Sequence, residues 1–188
     1  MDHIFLMLDT SSLKESAKIK RIQALRTDEK GKQLAFYEKE NLLGFYKQDG
    51  RTEDKDLLRA ALLGLESVIL PSNLGDKYVV ISYFGQDFYR EVLNKACKTA
   101  NIPALFTRAW VGVEQLAWSL AFSNKLKNRS IEALAEYLEV REKDALWTLY
   151  QCYWILMRRA VTGNYLETQA RTHGGPVFEL AQKFVQQF

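Results

Sequence analysis

The chain has 188 residues, 47% hydrophobic and 12% aromatic, enough for one globular domain with a full core and short for two. Twenty-six Lys and Arg against 23 Asp and Glu leave a formal charge of +3, which marks neither a strongly basic nucleic-acid binder nor an acidic tail. Ten Gly, three Pro and no low-complexity tract exclude collagen-like and disordered classes.

Ile4, Phe5, Leu6, Met7 and Leu8 form an apolar run that stops at Asp9. The run is too short for a signal-peptide core or a bilayer span, so a cytoplasmic chain with no membrane role is expected. Its lack of alternation predicts a central strand covered on both faces, closed by the turn residues Asp9, Thr10, Ser11 and Ser12. Residues 20–27 and 32–39 follow as strands around Asp28 and Gly31, completing an antiparallel meander. Thr52, Glu53, Asp54 and Asp56 open a helix whose Leu58, Leu62, Leu65 and Ile69 recur at helical spacing up to Pro71.

Residues 78–83 read as a second buried strand. Asp87 begins a helix with Phe88, Val92 and Ala96 on one face, Leu93 and Ala100 beside it, ending before Pro103. A short strand is predicted at 104–107, then a helix through Val113, Leu116, Ala117 and Leu120. Next come a basic connection (Lys125, Lys127, Arg129), a Ser130-capped helix to Leu138 and a long helix over 142–159. Thr172, His173, Gly174 and Gly175 break the chain before a terminal helix opened by Pro176. This order is α/β, a mixed sheet in which the meander is extended by parallel strands through helical crossovers.

Cys97 and Cys152, the only cysteines, sit in apolar-periodic segments and read as buried packing residues. With His3 and His173 the only histidines, clustered His/Cys zinc sites and Ser-His-Asp or Cys-His constellations find no support. Neither GxGxxG nor GxxxxGK[ST] occurs, so those phosphate cradles are absent.

The run Leu8, Asp9, Thr10, Ser11, Ser12, Leu13, followed by 19–27 and 31–36, resembles the opening of the DnaQ-like (DEDD) 3′-5′ exonucleases of the ribonuclease-H-like superfamily. There an Asp-x-Glu ends the first strand before the meander. Residues 82–87 fall where that family has His-Asn-x-x-Phe-Asp. Residues 113–118 and 130–134 are similar to its later helices, and Lys143, Asp144, Ala145, Leu146, Trp147 and Thr148 resemble its closing His-x-Ala-Leu-x-Asp. The resemblance covers roughly 3–160, implying a DnaQ-type domain at 1–160 and a C-terminal extension at 161–188.

That chemistry uses four carboxylates around two divalent metals about 4 Å apart, with a His or Tyr as general base. Carried over, Asp9 matches the first carboxylate and Asp87 the third. Ser11 replaces the second, Thr148 the last and Lys143 the base, so three of the five positions have changed. A hydroxyl is a weak neutral ligand for Mg²⁺. Asp144 and Glu91, one helical turn from Thr148 and Asp87, are the nearest substitute acids and otherwise read as solvated helix surface. Lys143 has two readings: it points to solvent in the first turn of its helix, or, balancing the remaining negative charge, it reaches Asp9 or Asp87 while Thr148 donates a hydrogen bond to the same group.

The expected function is that of a degenerate exonuclease, a pseudoenzyme kept as a nucleic-acid-binding or interaction module with no cofactor. The alternatives are an active exonuclease on single-stranded DNA or RNA, with Mg²⁺ or Mn²⁺ held weakly by Asp9 and Asp87, and a structural subunit without a nucleic-acid role. Lys125, Lys127, Arg129, Arg158 and Phe84 are the candidate nucleic-acid contacts. The apolar side of the terminal helix (Val177, Leu180, Ala181, Phe184, Phe188) is the candidate surface for a protein partner.

Overall fold

The structure, a computed structural model, describes residues 1–12, 17–42, 52–70, 77–84, 86–120 and 130–162. The side chains of 52–54, 86, 87, 118–120 and 159–162 are outside the described set. Five strands, β1 (Asp2–Thr10), β2 (Ile19–Thr27), β3 (Gln33–Lys39), β4 (Tyr78–Ser82) and β5 (Trp110–Gly112), form one sheet in the order β3-β2-β1-β4-β5. Five helices accompany them: α1 (Thr52–Ile69), α2 (Gln86–Thr99), α3 (Val113–Leu120), α4 (Ile131–Tyr137) and α5 (Ala145–Thr162). The chain divides into two compact units, Met1–Ser82 with Gln86–Trp110, and Tyr83–Gly85 with Val111–Phe188.

In the first unit, β1 runs antiparallel to β2 and parallel to β4, and β2 runs antiparallel to β3. This is the mixed α/β sheet expected from the sequence. Ile4, Phe5, Leu6, Met7 and Leu8 are all buried, as an unalternating strand requires when both its faces are covered. The turn after β2 is closed by Asp28, whose Oδ1 accepts from the N–H groups of Lys30 and Lys32 at 2.9 and 2.8 Å. Gly31 there has φ 82°, a conformation glycine adopts without a Cβ clash.

The helix α1 lies against β3 and β2. A Cβ at Gly64 would meet the Tyr37 ring at 3.2 Å, so the glycine allows this close approach, and the Tyr37 hydroxyl donates to the Ala61 carbonyl one turn earlier. Arg26 Nη1 donates to the Ile69 carbonyl at 3.4 Å, placing a cation at the negative end of the helix dipole. Along α2 the buried face is Tyr89, Val92, Leu93, Ala96, Cys97 and Ala100, which centres it on Tyr89 rather than Phe88. Asn101 ends it in the left-handed region, φ 53°, with the Ile102 N–H returning to the Cys97 carbonyl at 3.0 Å.

The strand expected at 104–107 is irregular chain, and the pairing strand is β5 instead. Leu105 and Phe106 are apolar because they are buried, not because they pair. The Phe106 ring meets Trp110 edge-on at 6.1 Å, and the indole N–H donates to the Phe106 carbonyl at 3.4 Å. The sheet bond is made next to Trp110, where the Val80 N–H donates to the Ala109 carbonyl at 3.0 Å.

In the second unit, α3 and α4 pack against α5. Ser130 caps α4 as predicted, its Oγ accepting from the Ala133 N–H at 3.2 Å. The terminal helix expected from Pro176 to Phe188 and the basic connection carrying Lys125, Lys127 and Arg129 lie outside the described residues. Among the described residues no helix is long and apolar enough to cross a membrane.

Candidate functional site

The carboxyl end of β1 holds the first two positions singled out by sequence. Asp9 sits on the same face as His3, Phe5 and Met7, and register pairs it with Arg21 of β2. Residues opposite one another on antiparallel strands share a face, so their side chains meet. Arg21 Nε lies 3.0 Å from Asp9 Oδ2, and its Nη1 lies 3.5 Å from Glu38 Oε1 and 3.4 Å from Glu40 Oε1. Gln23, the next residue on that face of β2, donates to Glu38 Oε1 at 3.0 Å. One guanidinium thus serves three carboxylates. The cation on Asp9 is Arg21, a neighbour fixed by strand register, and Lys143 follows the solvent-facing of its two readings.

Ser11, which the resemblance aligns with the second carboxylate, lies just past the end of β1. Its N–H donates to the Lys18 carbonyl at 2.9 Å and its Oγ accepts from the Lys18 N–H at 3.0 Å. The hydroxyl therefore holds together the entrance to β2.

The first turn of α2 lies beside this strand end. Tyr89 is buried, and its phenol is pushed up to about 12, first by burial and further by the Asp9 carboxylate, against a hydrogen bond with the Leu8 backbone. Tyr89 follows Asp87 by two residues, so the backbone of the third carboxylate position opens the helix that reaches the end of β1. The Asp87 side chain is outside the described set. Glu91 is exposed, as anticipated.

Two further positions belong to the second unit. Thr148 is buried in the first turn of α5, and its hydroxyl donates to the Asp144 carbonyl at 2.8 Å, with the Glu142 carbonyl at 3.3 Å. The expected hydrogen bond to a catalytic carboxylate is replaced by this local one, because a threonine hydroxyl inside a helix readily reaches the carbonyl four residues back. Asp144 corrects a second expectation. Rather than solvated surface, it is the helix cap, its Oδ1 accepting from the Leu146 and Trp147 N–H groups at 2.9 and 3.2 Å. The helix accordingly begins at Ala145, later than the sequence suggested. Lys143 is exposed, its N–H donating to Glu142 Oε1 at 2.8 Å.

Of the remaining candidates, Phe84 meets the Tyr83 ring edge-on at 5.1 Å, and Arg158 is exposed near the end of α5. Both cysteines are buried and free, with Cys152 pushed up to about 12 by burial, which removes it as a nucleophile.

The resembled family holds two divalent metals, and the carried-over positions whose side chains are described are each otherwise engaged. Asp9 is committed to a guanidinium, Ser11 to a backbone N–H, and Thr148 donates its only proton to a carbonyl. Among the described residues, no three His, Cys, Asp or Glu come together as a metal site. Sequence reasoning missed Arg21 at this site, whereas Tyr89 stands out as one of the aromatics around Asp87 that read more readily as core. The signal for Arg21 was its place before Ile22, since aligning Leu8 with Ile22 in the meander sets Arg21 opposite Asp9.

The fold is shared with exonuclease I of E. coli. Its zinc-bound complex with single-stranded DNA superposes with a TM-score of 0.64 at 13% identity, over 89% of this chain and 43% of that one. Its complex with a 5cy-dT13 oligonucleotide gives 0.61 at 14% identity, over 89% and 43%. A product-bound exonuclease I gives 0.62 at 11% identity, over 89% and 46%. The present chain thus spans less than half the length of those proteins, and the likeness is one of fold. No family model and no curated protein matches the chain in sequence.

Proposed function

We propose that this chain is an exonuclease-fold module that binds single-stranded nucleic acid and has lost, or kept only weakly, metal-dependent hydrolysis. The observation that carries the proposal is the Arg21 guanidinium 3.0 Å from Asp9 Oδ2. That contact takes up one oxygen of the carboxylate a divalent ion would need, so the ion would have to displace the guanidinium toward Glu38 and Glu40. Ser11 and Thr148 supply no negative charge in return. The nucleic-acid part rests on the fold, since the exonuclease I structures that share it include complexes with single-stranded DNA.

The test is incubation with 3′-labelled DNA and RNA oligonucleotides in Mg²⁺ or Mn²⁺, beside a binding titration across salt. Labelled ends should stay intact, and binding should weaken steeply with salt because phosphate contacts release counterions. Lys125→Ala with Lys127→Ala should flatten that slope. Cleavage that disappears in Asp9→Ala would overturn the hydrolytic part. No binding at micromolar protein would leave the protein-interaction alternative and make the terminal helix the surface to truncate.

A further inference from the structure

The strand β3 ends the sheet order on one side, with β2 along its inner edge. An edge strand is ordinarily bent or charged throughout so that its outer backbone groups do not recruit another strand. In β3 the register shifts only between Gln33 and Ala35, next to the turn, and Ala35 to Lys39 pair with β2 without interruption. The strand also turns apolar side chains outward. Leu34 is 45% exposed and Phe36 38%, while Ala35 and Tyr37, which alternate with them, are half-buried.

The helix α1 continues this pattern on the other face of the sheet. At 100° per residue Leu57, Ala61, Gly64 and Val68 fall on one flank, and Ala61 and Gly64 are where α1 meets Tyr37 of β3. That flank therefore borders the edge strand, and on it Leu57 is 48% exposed and Val68 37%. Leu34, Phe36, Leu57 and Val68 thus gather at one edge of the sheet. Exposed apolar residues that cluster in this way mark an interaction surface, whereas scattered ones need no explanation.

The charges along β3 are sorted by end. At the turn Lys30 and Lys32 are exposed, Asp28 Oδ1 accepts from two backbone N–H groups, and Glu29 Oε2 lies 3.3 Å from the N-terminal ammonium. Cations outnumber acids there. At the far end Glu38 and Glu40 share the Arg21 guanidinium with Asp9, so acids outnumber cations, and Lys39 alternates to the other face. A strand that is positive at its start, apolar in its middle and negative at its end complements its own antiparallel copy and repels a parallel one.

We propose that β3 pairs antiparallel with β3 of a second copy of this chain, about a two-fold axis at Phe36, joining the two sheets into one. Phe36 then meets its own counterpart, with Leu34 of each copy beside it, and Lys32 comes level with Glu40 of the second copy. Such an isologous contact uses the same patch twice and so requires a patch that complements itself. An axis perpendicular to the sheet keeps equivalent faces together, which brings the two α1 flanks, with Leu57 and Val68, to the same side. The proposal is separate from the nucleic-acid reading and is tested without nucleic acid.

The test is sedimentation equilibrium of the full chain in the micromolar range, where wild type should sediment as a dimer. Phe36→Lys should raise the dissociation constant at least tenfold with an unchanged far-ultraviolet circular dichroism spectrum. Lys32→Glu should raise it several-fold. Added salt should weaken the wild-type dimer and strengthen that of Lys32→Glu, because it screens an attraction in one and a repulsion in the other. A short bis-maleimide should cross-link Phe36→Cys chains in pairs, since directly opposite Cβ atoms lie about 5 Å apart. Leu63→Cys, exposed on another side of α1, should not cross-link, and the natural Cys97 and Cys152 are buried. A wild-type chain that stays monomeric throughout the micromolar range would overturn the proposal. So would a dimer that survives both Phe36→Lys and Lys32→Glu.

Discussion

The end of β1 and the first turn of α5 each hold positions where the resembled family keeps catalytic groups, and the two have been occupied differently. At β1 the carboxylate persists and a charge has come to it: Asp9 is 49% exposed, and Arg21 meets it from the next strand while also meeting Glu38 and Glu40. At α5 the position is neutral and held by local hydrogen bonds, with Thr148 buried and bonded to the Asp144 and Glu142 carbonyls. Charge neutralised in water is cheap to form and cheap to undo. A donor saturated inside a helix turn resists any change of chemistry. The contrast teaches that the two positions cannot be restored at equal cost.

The sharpest way to break the comparison is Thr148→Asp, which places there the carboxylate of the resembled family. It would face two carbonyl oxygens in a buried turn, with the hydroxyl donor lost. Burying an unpaired carboxylate should cost about 4 kcal/mol and lower Tm by roughly 10 °C, read by thermal melting. An unchanged Tm would show that the turn relaxes and that the position is as adaptable as Asp9.

The next effect isolates burial from exposure within β1 itself, where His3 lies on the same face as Asp9. His3 is buried, and burial pushes its imidazole from 6.5 down to about 4. The native state refuses a proton that the unfolded chain accepts. Stability is therefore intact above about pH 6.5 and falls as the pH drops toward 4, by about 3 kcal/mol in all. Denaturant titrations at pH 7 and pH 4.5 should show the loss, and His3→Gln should remove its histidine component. A slope retained in His3→Gln would assign the acid lability to the carboxylates.

The smallest effect belongs to Asp9. Its ion pair is solvent-facing, so Asp9→Asn should change stability by less than about 1 kcal/mol, and by less still in high salt. A loss comparable to that of Thr148→Asp would mean that the Arg21 network is structural, erasing the difference between the two regions.

Most of the architecture was legible because periodicity and punctuation agreed. An unalternating run gave β1 its central place, Asp28 and Gly31 marked the meander turn, and Ser130 marked a helix start. The strand β5 was misplaced because Leu105 and Phe106 are buried without pairing, and an apolar pair does not reveal whether its backbone bonds to a sheet. The site was legible only along single segments. Asp9 and Ser11 stand out beside a strand, but the Arg21 contact depends on cross-strand register, which shifts between Asp9 and Thr10. In α5 the residue types were plain, while the capping by Asp144, which turned a surface acid into a helix start, depends on where the first turn closes.

The position of β1 between β2 and β4 also has a bearing on biosynthesis. Its antiparallel partner follows within a short stretch of chain, whereas its parallel partner pairs Asp2 with Tyr78 and emerges only after the meander and α1 have been made. Local pairings form before distant ones, because closing a long loop costs entropy before any contact repays it. During that interval the other edge of the strand with the longest unbroken apolar run stands open, an invitation to pairing with another nascent chain. Ribosomal pausing between the codons for Ile69 and Tyr78 would lengthen the exposure, and a chaperone that shields extended apolar segments would act in that window.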